Sequence, residues 1–277
     1  MTQASAWLLS EGIEFRWEPG EWPGAWGLDI PASNSQKVSE SLTEMLEEDQ
    51  RLKRHPVAEW VPLLLQPPFA FSLCFAGLLC CLFYYAGGYA LQSEIFRLGL
   101  FSREAVVEAG QWWRFITGAT LHADWGHVLG NGAFIMVLGW AVSERVGVGI
   151  TAISWLVTAV AGFVVSLIFS DMMISVGASG GLFGLLGVAG GHGFRESQKE
   201  VLWFRRIREL GAACSLLAFT AFSAKANIAA HLGGFGAGVV IGFLCARLSL
   251  KAVAQSIAML ATFVSIAGGW YLALVAR

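Results

Sequence analysis

Charge is scarce in this sequence: only 14% of its residues are Asp, Glu, Lys or Arg, against 56% that are hydrophobic. That balance is too apolar for an ordinary soluble domain and assigns most of the chain to lipid. There is no cluster of Lys and Arg with interleaved aromatics, and the net charge is −2, so a nucleic-acid partner has no electrostatic footing. The five cysteines (Cys74, Cys80, Cys81, Cys214, Cys245) are odd in number and lie in apolar runs without metal-knuckle spacing. They read as small core residues, and no metal or cofactor is expected. His-Glu-x-x-His does not occur, and no carboxylate joins the histidines, which argues against a metalloprotease. Ionisable residues are almost missing from the middle of the apolar runs, which argues against a transporter or channel. The first thirty residues hold acids and four tryptophans but no basic start and no signal-type apolar stretch, so the amino terminus is expected to be retained.

What is present is a series of apolar runs near the roughly 20 residues a helix needs to cross the hydrocarbon layer. Seven candidates fall at about 68–91, 125–143, 147–170, 179–194, 209–223, 228–248 and 252–275. Ahead of them, residues 1–60 carry 11 of the 20 acidic residues and 5 of the 18 basic ones. This acidic head is expected to contain an amphipathic helix near 36–54, with Val38, Leu42, Met45 and Leu46 on one face. Pro56, Pro62, Pro67 and Pro68 then break the chain before the first span. The expected architecture is an all-α polytopic membrane protein: a small cytosolic head at 1–60, a proline-rich linker at 61–67, a six-helix core at 68–248 and one further transmembrane helix within 249–277. Arg51, Lys53, Arg54, Arg145, Arg195, Lys199, Arg205, Arg206, Arg208, Arg247 and Lys251 all fall on one side if the head is cytoplasmic. The positive-inside bias therefore puts the head inside and the carboxyl terminus outside. A bacterial cytoplasmic membrane is the expected home.

With that topology the second, fourth and sixth spans start on the outer side and run inward together. Their first turns carry His127 and Asn131, Ser179, and His231 respectively, and polar side chains in lipid usually mark function. Gly177-Ala178-Ser179-Gly180-Gly181 opens the fourth span. A serine hydroxyl needs a base within reach and donors for the oxyanion that forms on attack. A glycine-flanked helix start supplies close approach and free N–H groups. Alone, Gly-x-Ser-Gly reads more readily as a small-residue packing contact. His231 lies in Ala229-Ala230-His231-Leu232-Gly233-Gly234, with Gly238 and Gly242 following on a similar face. The fourth span bears a matching stripe of Gly180, Gly184, Gly187 and Gly191. Such stripes let membrane helices pack backbone to backbone, which would bring Ser179 to His231. His127 and Asn131, four apart, share one face and can both donate hydrogen bonds, either to an oxyanion or as a clamp between helices. The fourth span, at about 16 residues or roughly 24 Å, falls short of the hydrocarbon thickness of about 30 Å. The loop that starts it must dip below the surface, which requires burial in protein or a water-filled cavity. His192, about 20 Å along the helix from Ser179, reads as a residue of the inner boundary.

These residues resemble the rhomboid family of intramembrane serine proteases over about 68–248. Gly177-Ala178-Ser179-Gly180 is similar to its nucleophile motif, and Ala230-His231-Leu232-Gly233-Gly234 to its histidine segment. His122-Ala123-Asp124-Trp125-Gly126-His127-Val128-Leu129-Gly130-Asn131 matches its His-x4-His-x3-Asn pattern, and Trp113-Arg114 is similar to the Trp-Arg pair of its first outer loop. The resemblance implies a Ser179–His231 dyad without a third acid, with His127 and Asn131 stabilising an oxyanion. It also implies a transmembrane protein as substrate, membrane lipid as the medium, and the fifth span with segment 223–227 as gate and cap. The span at 252–275 resembles an extension found in some members. The head matches no motif, and its partner is unknown. The rival within the same family is a catalytically silent protein that holds transmembrane clients; it predicts loss of Ser179 or His231, and both are present.

Overall fold

The computed structural model describes residues 2–20, 26–54, 63–87, 93–196, 226–248 and 251–276. The chain divides into two compact units, Met1–Val61 and Pro62–Arg277. The first unit contains helix α1 (Thr2–Ser10), strands β1 (Arg16–Pro19) and β2 (Trp26–Asp29), and helix α2 (Ser35–Arg54). The strands pair antiparallel with Arg16 opposite Asp29 and Pro19 opposite Trp26. Leu8, Ile13 and Val38 form its small core, with Trp7, Phe15, Leu28, Ile30 and Leu42 packed against them. The amphipathic helix is therefore present, but Leu46 is exposed rather than turned into this core. The hairpin and α1 were not anticipated, because their short segments give no sustained periodicity.

The second unit is built on helices. They are α3 (Pro67–Tyr85), α4 (Glu94–Gly99), α5 (Arg103–Val107), α6 (Arg114–Thr120), α7 (Trp125–Val146), α8 (Val148–Phe169), α9 (Ser179–Glu196), α10 (Ile228–Cys245) and α11 (Ala252–Val275). A two-residue pair, β3 (Phe101–Ser102) against β4 (Ile174–Ser175), and the head hairpin qualify the all-helical expectation. Among the described residues five helices, α3, α7, α8, α10 and α11, are long and apolar enough to cross a membrane. The glycine-rich α9 is not one of them; its 18 residues span about 27 Å, still short of the hydrocarbon layer. The first span ends at Tyr85, earlier than expected. The second runs on to Val146 through a π-helical turn at Ile135–Gly139. The expected fifth span at 209–223 lies outside the described residues, as do Cys214 and most of segment 223–227. Cys74 and Cys81 are exposed on α3, so they are not core residues, while Cys80 and Cys245 are half-buried. A run that is apolar all round gives no periodicity from which to choose its inner face.

Helix α8 is the most enclosed of the five spans, and α9 and α10 pack against it and each other. Glycines set the separation. A methyl group added at Gly234, Gly238 or Gly242 of α10 would run into the carbonyls of Gly180, Gly184 and Val188 on α9. One added at Gly187 or Gly191 would meet the carbonyls of Phe235 and Val239 in return. In lipid no hydrophobic force drives helices together, so this backbone contact supplies the association through dispersion. Gly236, by contrast, has open space where a methyl would go. Gly238→Ala is therefore expected to cost about 1–3 kcal/mol by overpacking, while Gly236→Ala should be neutral or slightly stabilising through helix propensity. Thermal unfolding of the detergent-solubilised protein checks this, and equal melting temperatures for the two variants would contradict the packing described.

Candidate active site

The start of α9 is fixed by what holds the residues before it. The β3–β4 pair sets Phe101 opposite Ser175. Gly177 N–H then donates to Gly118 O at 3.0 Å. Gly177 has φ +132°, a region that side-chain-bearing residues rarely adopt. A methyl group there would also strike the imidazole of His127, 2.7 Å from its Cε1. Ala178 is fully buried; its N–H donates to His122 Nε2 over a long 3.5 Å, and its carbonyl accepts from Trp155 Nε1 at 3.3 Å. Ser179 follows as the first residue of α9, where the leading N–H groups have no intrahelical partner.

Ser179 Oγ lies 2.8 Å from His231 Nε2. His231 is buried in the first turn of α10 and its ring stacks on Phe183, centroids 4.4 Å apart at 28°. Its Nδ1 has no hydrogen-bond partner among the described residues. His127 is half-buried. It stands where Asp124 caps α7, the Asp124 carboxylate accepting from His127 N–H at 2.8 Å. One turn on, Asn131 is buried with its Nδ2 donor unpartnered among the described residues. Both side chains flank Gly177: a methyl there would come 3.7 Å from Asn131 Nδ2. All four sequence candidates thus gather around residues 177–179. A hydroxyl within hydrogen-bond distance of an imidazole nitrogen, with spare donors beside the same backbone, is an arrangement suited to acyl transfer.

His122 is fully buried between α6 and α7. Burial, reinforced by His127, pushes its pKa down to about 3. It is therefore neutral across the physiological range, and accepting from Ala178 requires the tautomer with the proton on Nδ1. Arg114 does not reach the site. Its guanidinium is buried and donates to Arg97 O at 2.9 Å, Leu100 O at 2.7 Å and Gln111 Oε1 at 2.6 Å, tying the segment from α4 to α6 together. His192 is buried beside a cavity of about 700 Å³ that Arg145, Arg247 and Gln255 also line. It lies roughly three turns or more along α9 from Ser179, away from the serine.

Two contributors escaped the sequence reading. Phe183 lies four residues after Ser179, hence on the same face of α9, and that spacing was the available signal. Asn227 stands directly before α10. Its Oδ1 accepts from Ala230 N–H at 3.1 Å, and its Nδ2 donates to Ser166 Oγ at 2.7 Å and Ser175 Oγ at 3.1 Å. One buried amide thereby joins α8, β4 and the helix that carries His231. An Asn just ahead of an apolar run is an N-cap signature, but the two serines it bonds are more than fifty residues away in sequence.

Comparison with known proteins follows the same outline. The family model described as the Rhomboid domain matches residues 109–248, just over half of the chain. RHOMBOID-like protein 1 of Arabidopsis thaliana is 30% identical over 154 residues, which covers 53% of this chain and 38% of that protein. Rhomboid-like protease 3 of Toxoplasma gondii is 30% identical over 139 residues, covering 47% and 51%. YdcA of Bacillus subtilis (strain 168) is 30% identical over 146 residues, covering 51% and 71%. The chain spans about half or less of the length of the plant and Toxoplasma relatives.

Removing the Asn227 amide leaves two hydroxyls and a helix N–H without partners. Asn227→Ala is expected to cost about 2–3 kcal/mol, and Ser175→Ala about 1 kcal/mol. Equilibrium unfolding in mixed detergent measures both. A loss for Asn227→Ala no larger than for Ser175→Ala would mean that the amide does not join the three elements.

Proposed function

This chain belongs to the rhomboid family, and we propose that it is an intramembrane serine endopeptidase acting through a Ser179–His231 dyad. The observation that carries the reading is the 2.8 Å separation of Ser179 Oγ and His231 Nε2. His231 takes the hydroxyl proton as Ser179 Oγ attacks the scissile carbonyl carbon, and a tetrahedral oxyanion forms. The Ser179 N–H, His127 and the unpartnered Asn131 Nδ2 supply donors to that oxyanion. His231 then returns the proton to the leaving amine as the peptide C–N bond breaks, leaving an acyl-enzyme on Ser179. A water that gives its proton to His231 releases the acyl group and restores the hydroxyl. With no acid at His231 Nδ1 among the described residues, stacking on Phe183 holds the ring in orientation.

The protein is an integral, multi-pass membrane protein. Its substrate in this reading is a transmembrane protein cut near the outer end of its span, with lipid as the surrounding medium. The head lies on the cytoplasmic side of a bacterial-type membrane, and the carboxyl terminus lies outside. The rival, a silent client-binding member, would hold the substrate without turnover, and the presence of both Ser179 and His231 argues against it.

Purified full-length protein incubated with a transmembrane peptide provides the test. Ser179→Ala is expected to abolish cleavage and labelling by a fluorophosphonate, and His231→Ala to lower turnover at least about 10³-fold, with unchanged helical circular dichroism. Equal cleavage by wild type and Ser179→Ala would end the assignment, and binding of the peptide without any cleavage by wild type would favour the silent member.

A further inference from the structure

We propose that Trp270 of α11 is a positioning residue for the catalytic serine, so that the helix beyond the core is a working part of the site. The inference rests on the protease reading above. Near the outer end of α11, the Trp270 indole packs over Gly99, where an added methyl would lie 2.5 Å from the ring. Its Nε1 donates to Thr120 Oγ1 at 3.1 Å. Thr120 is buried, and its hydroxyl donates onward to Thr117 O at 2.8 Å. The Thr117 hydroxyl in turn donates to Gly99 O at 2.6 Å. The same short segment accepts two of the N–H groups on the approach to Ser179. Gly118 O accepts from Gly177 N–H, and His122, two residues after Thr120, accepts from Ala178 N–H. Trp270 also packs with Val176 against the cluster of Ala86, Phe96, Leu100 and Leu121. It therefore bonds directly to the 117–122 segment, and it shares with Val176 of the serine loop one apolar cluster.

The other end of α11 sets its register. Gln255 Nε2 donates to Val146 O at 2.7 Å, and Gln255 Oε1 accepts from Ile150 N–H at 3.0 Å, bridging the turn between α7 and α8. A methyl group on Gly149 would fall on the Gln255 carbonyl, so the two backbones are in contact there. Fifteen residues of helix, about 22 Å, then deliver Trp270 to Thr120. A helix that served only as an added anchor could pack through dispersion alone. Here both ends are fixed by directional bonds, and the outer one ends two residues from His122.

The test uses full-length protein reconstituted in liposomes, read by turnover of a transmembrane peptide and by the rate at which a fluorophosphonate labels Ser179. Trp270→Phe keeps the ring and deletes the donor; Thr120→Val deletes the acceptor; Thr120→Ser keeps it. Trp270→Phe and Thr120→Val should each lower kcat and the labelling rate roughly 5–10-fold, the weight of one neutral hydrogen bond, with KM within about 2-fold. Thr120→Ser should remain near wild type, and the double variant Trp270→Phe/Thr120→Val should be no slower than either single one. Unchanged kcat and labelling in Trp270→Phe would overturn the proposal, whatever happens to its melting temperature, and so would single effects that multiply in the double variant. A wild type that neither cleaves nor labels would instead defeat the protease reading itself, and this inference with it.

Discussion

The backbone-to-backbone contact of α9 with α10 is the constraint on which the rest of the second unit depends. Glycines on both helices let a carbonyl of one rest against a Cα of the other at five positions. Those contacts run from Gly180 and Gly234 near the amino ends to Gly191 and Gly242 towards the carboxyl ends, so the two axes are fixed over most of their length. Ser179 and His231 sit just outside the first of them. A hydrogen bond at 2.8 Å tolerates only about 0.5 Å of lengthening before it is lost. A single methyl group in the interface would push the helices apart by more. The Ser179–His231 contact therefore needs glycine at positions remote from the pair itself.

Polar groups in this apolar surrounding fall into two kinds. Arg114, Thr117 and Asn227 are buried with their donors matched to carbonyls or hydroxyls of other elements, and they bind segments distant in sequence. Asn131 Nδ2 and His231 Nδ1 are buried without partners among the described residues, at about 1–3 kcal/mol for each such group. Both stand beside residues 177–179, where the proposed reaction develops charge. In a dyad without a third acid, the imidazolium formed on attack finds its counter-charge in the oxyanion created by the same step. A free amide donor beside that oxyanion is then matched only when the charge exists, which is the condition for selective stabilisation of a transition state.

Much of the site was legible in the sequence, because the depth of a residue in a span follows from span boundaries and orientation. Ser179, His231, His127 and Asn131 could be assigned to one layer before any coordinates, and the glycine stripes named the helix pair that meets. The rest depended on contacts whose partners lie far apart in the chain. Ser166, Ser175 and Asn227 are each unremarkable alone, and only the fold joins them. The same holds for Trp270 and Thr120, 150 residues apart. The exposed positions of Cys74 and Cys81 were misjudged for a different reason: a helix apolar on every face carries no period that says which side is inward. The head hairpin was missed because four-residue strands fall below what alternation can signal.

The depth of the serine raises a final physical question, since α9 is too short and too glycine-rich to set it by its own hydrophobicity. Irregular backbone ahead of a short helix can enter the hydrocarbon layer only if its N–H and C=O groups are satisfied by protein. The β4 pair, the Gly177 N–H and both backbone groups of Ala178 find such partners in β3, Gly118, His122 and Trp155. The partners come from α6, α8 and the links around them, and α6 is itself braced by Arg114 at one end and by Trp270 through Thr120 at the other. The position of Ser179 along the helix axis is thus set by neighbours that bond the loop before it, while its lateral distance to His231 is set by glycine. These are separate controls, so a change in the loop's supports should alter how the hydroxyl is presented without separating the two helices.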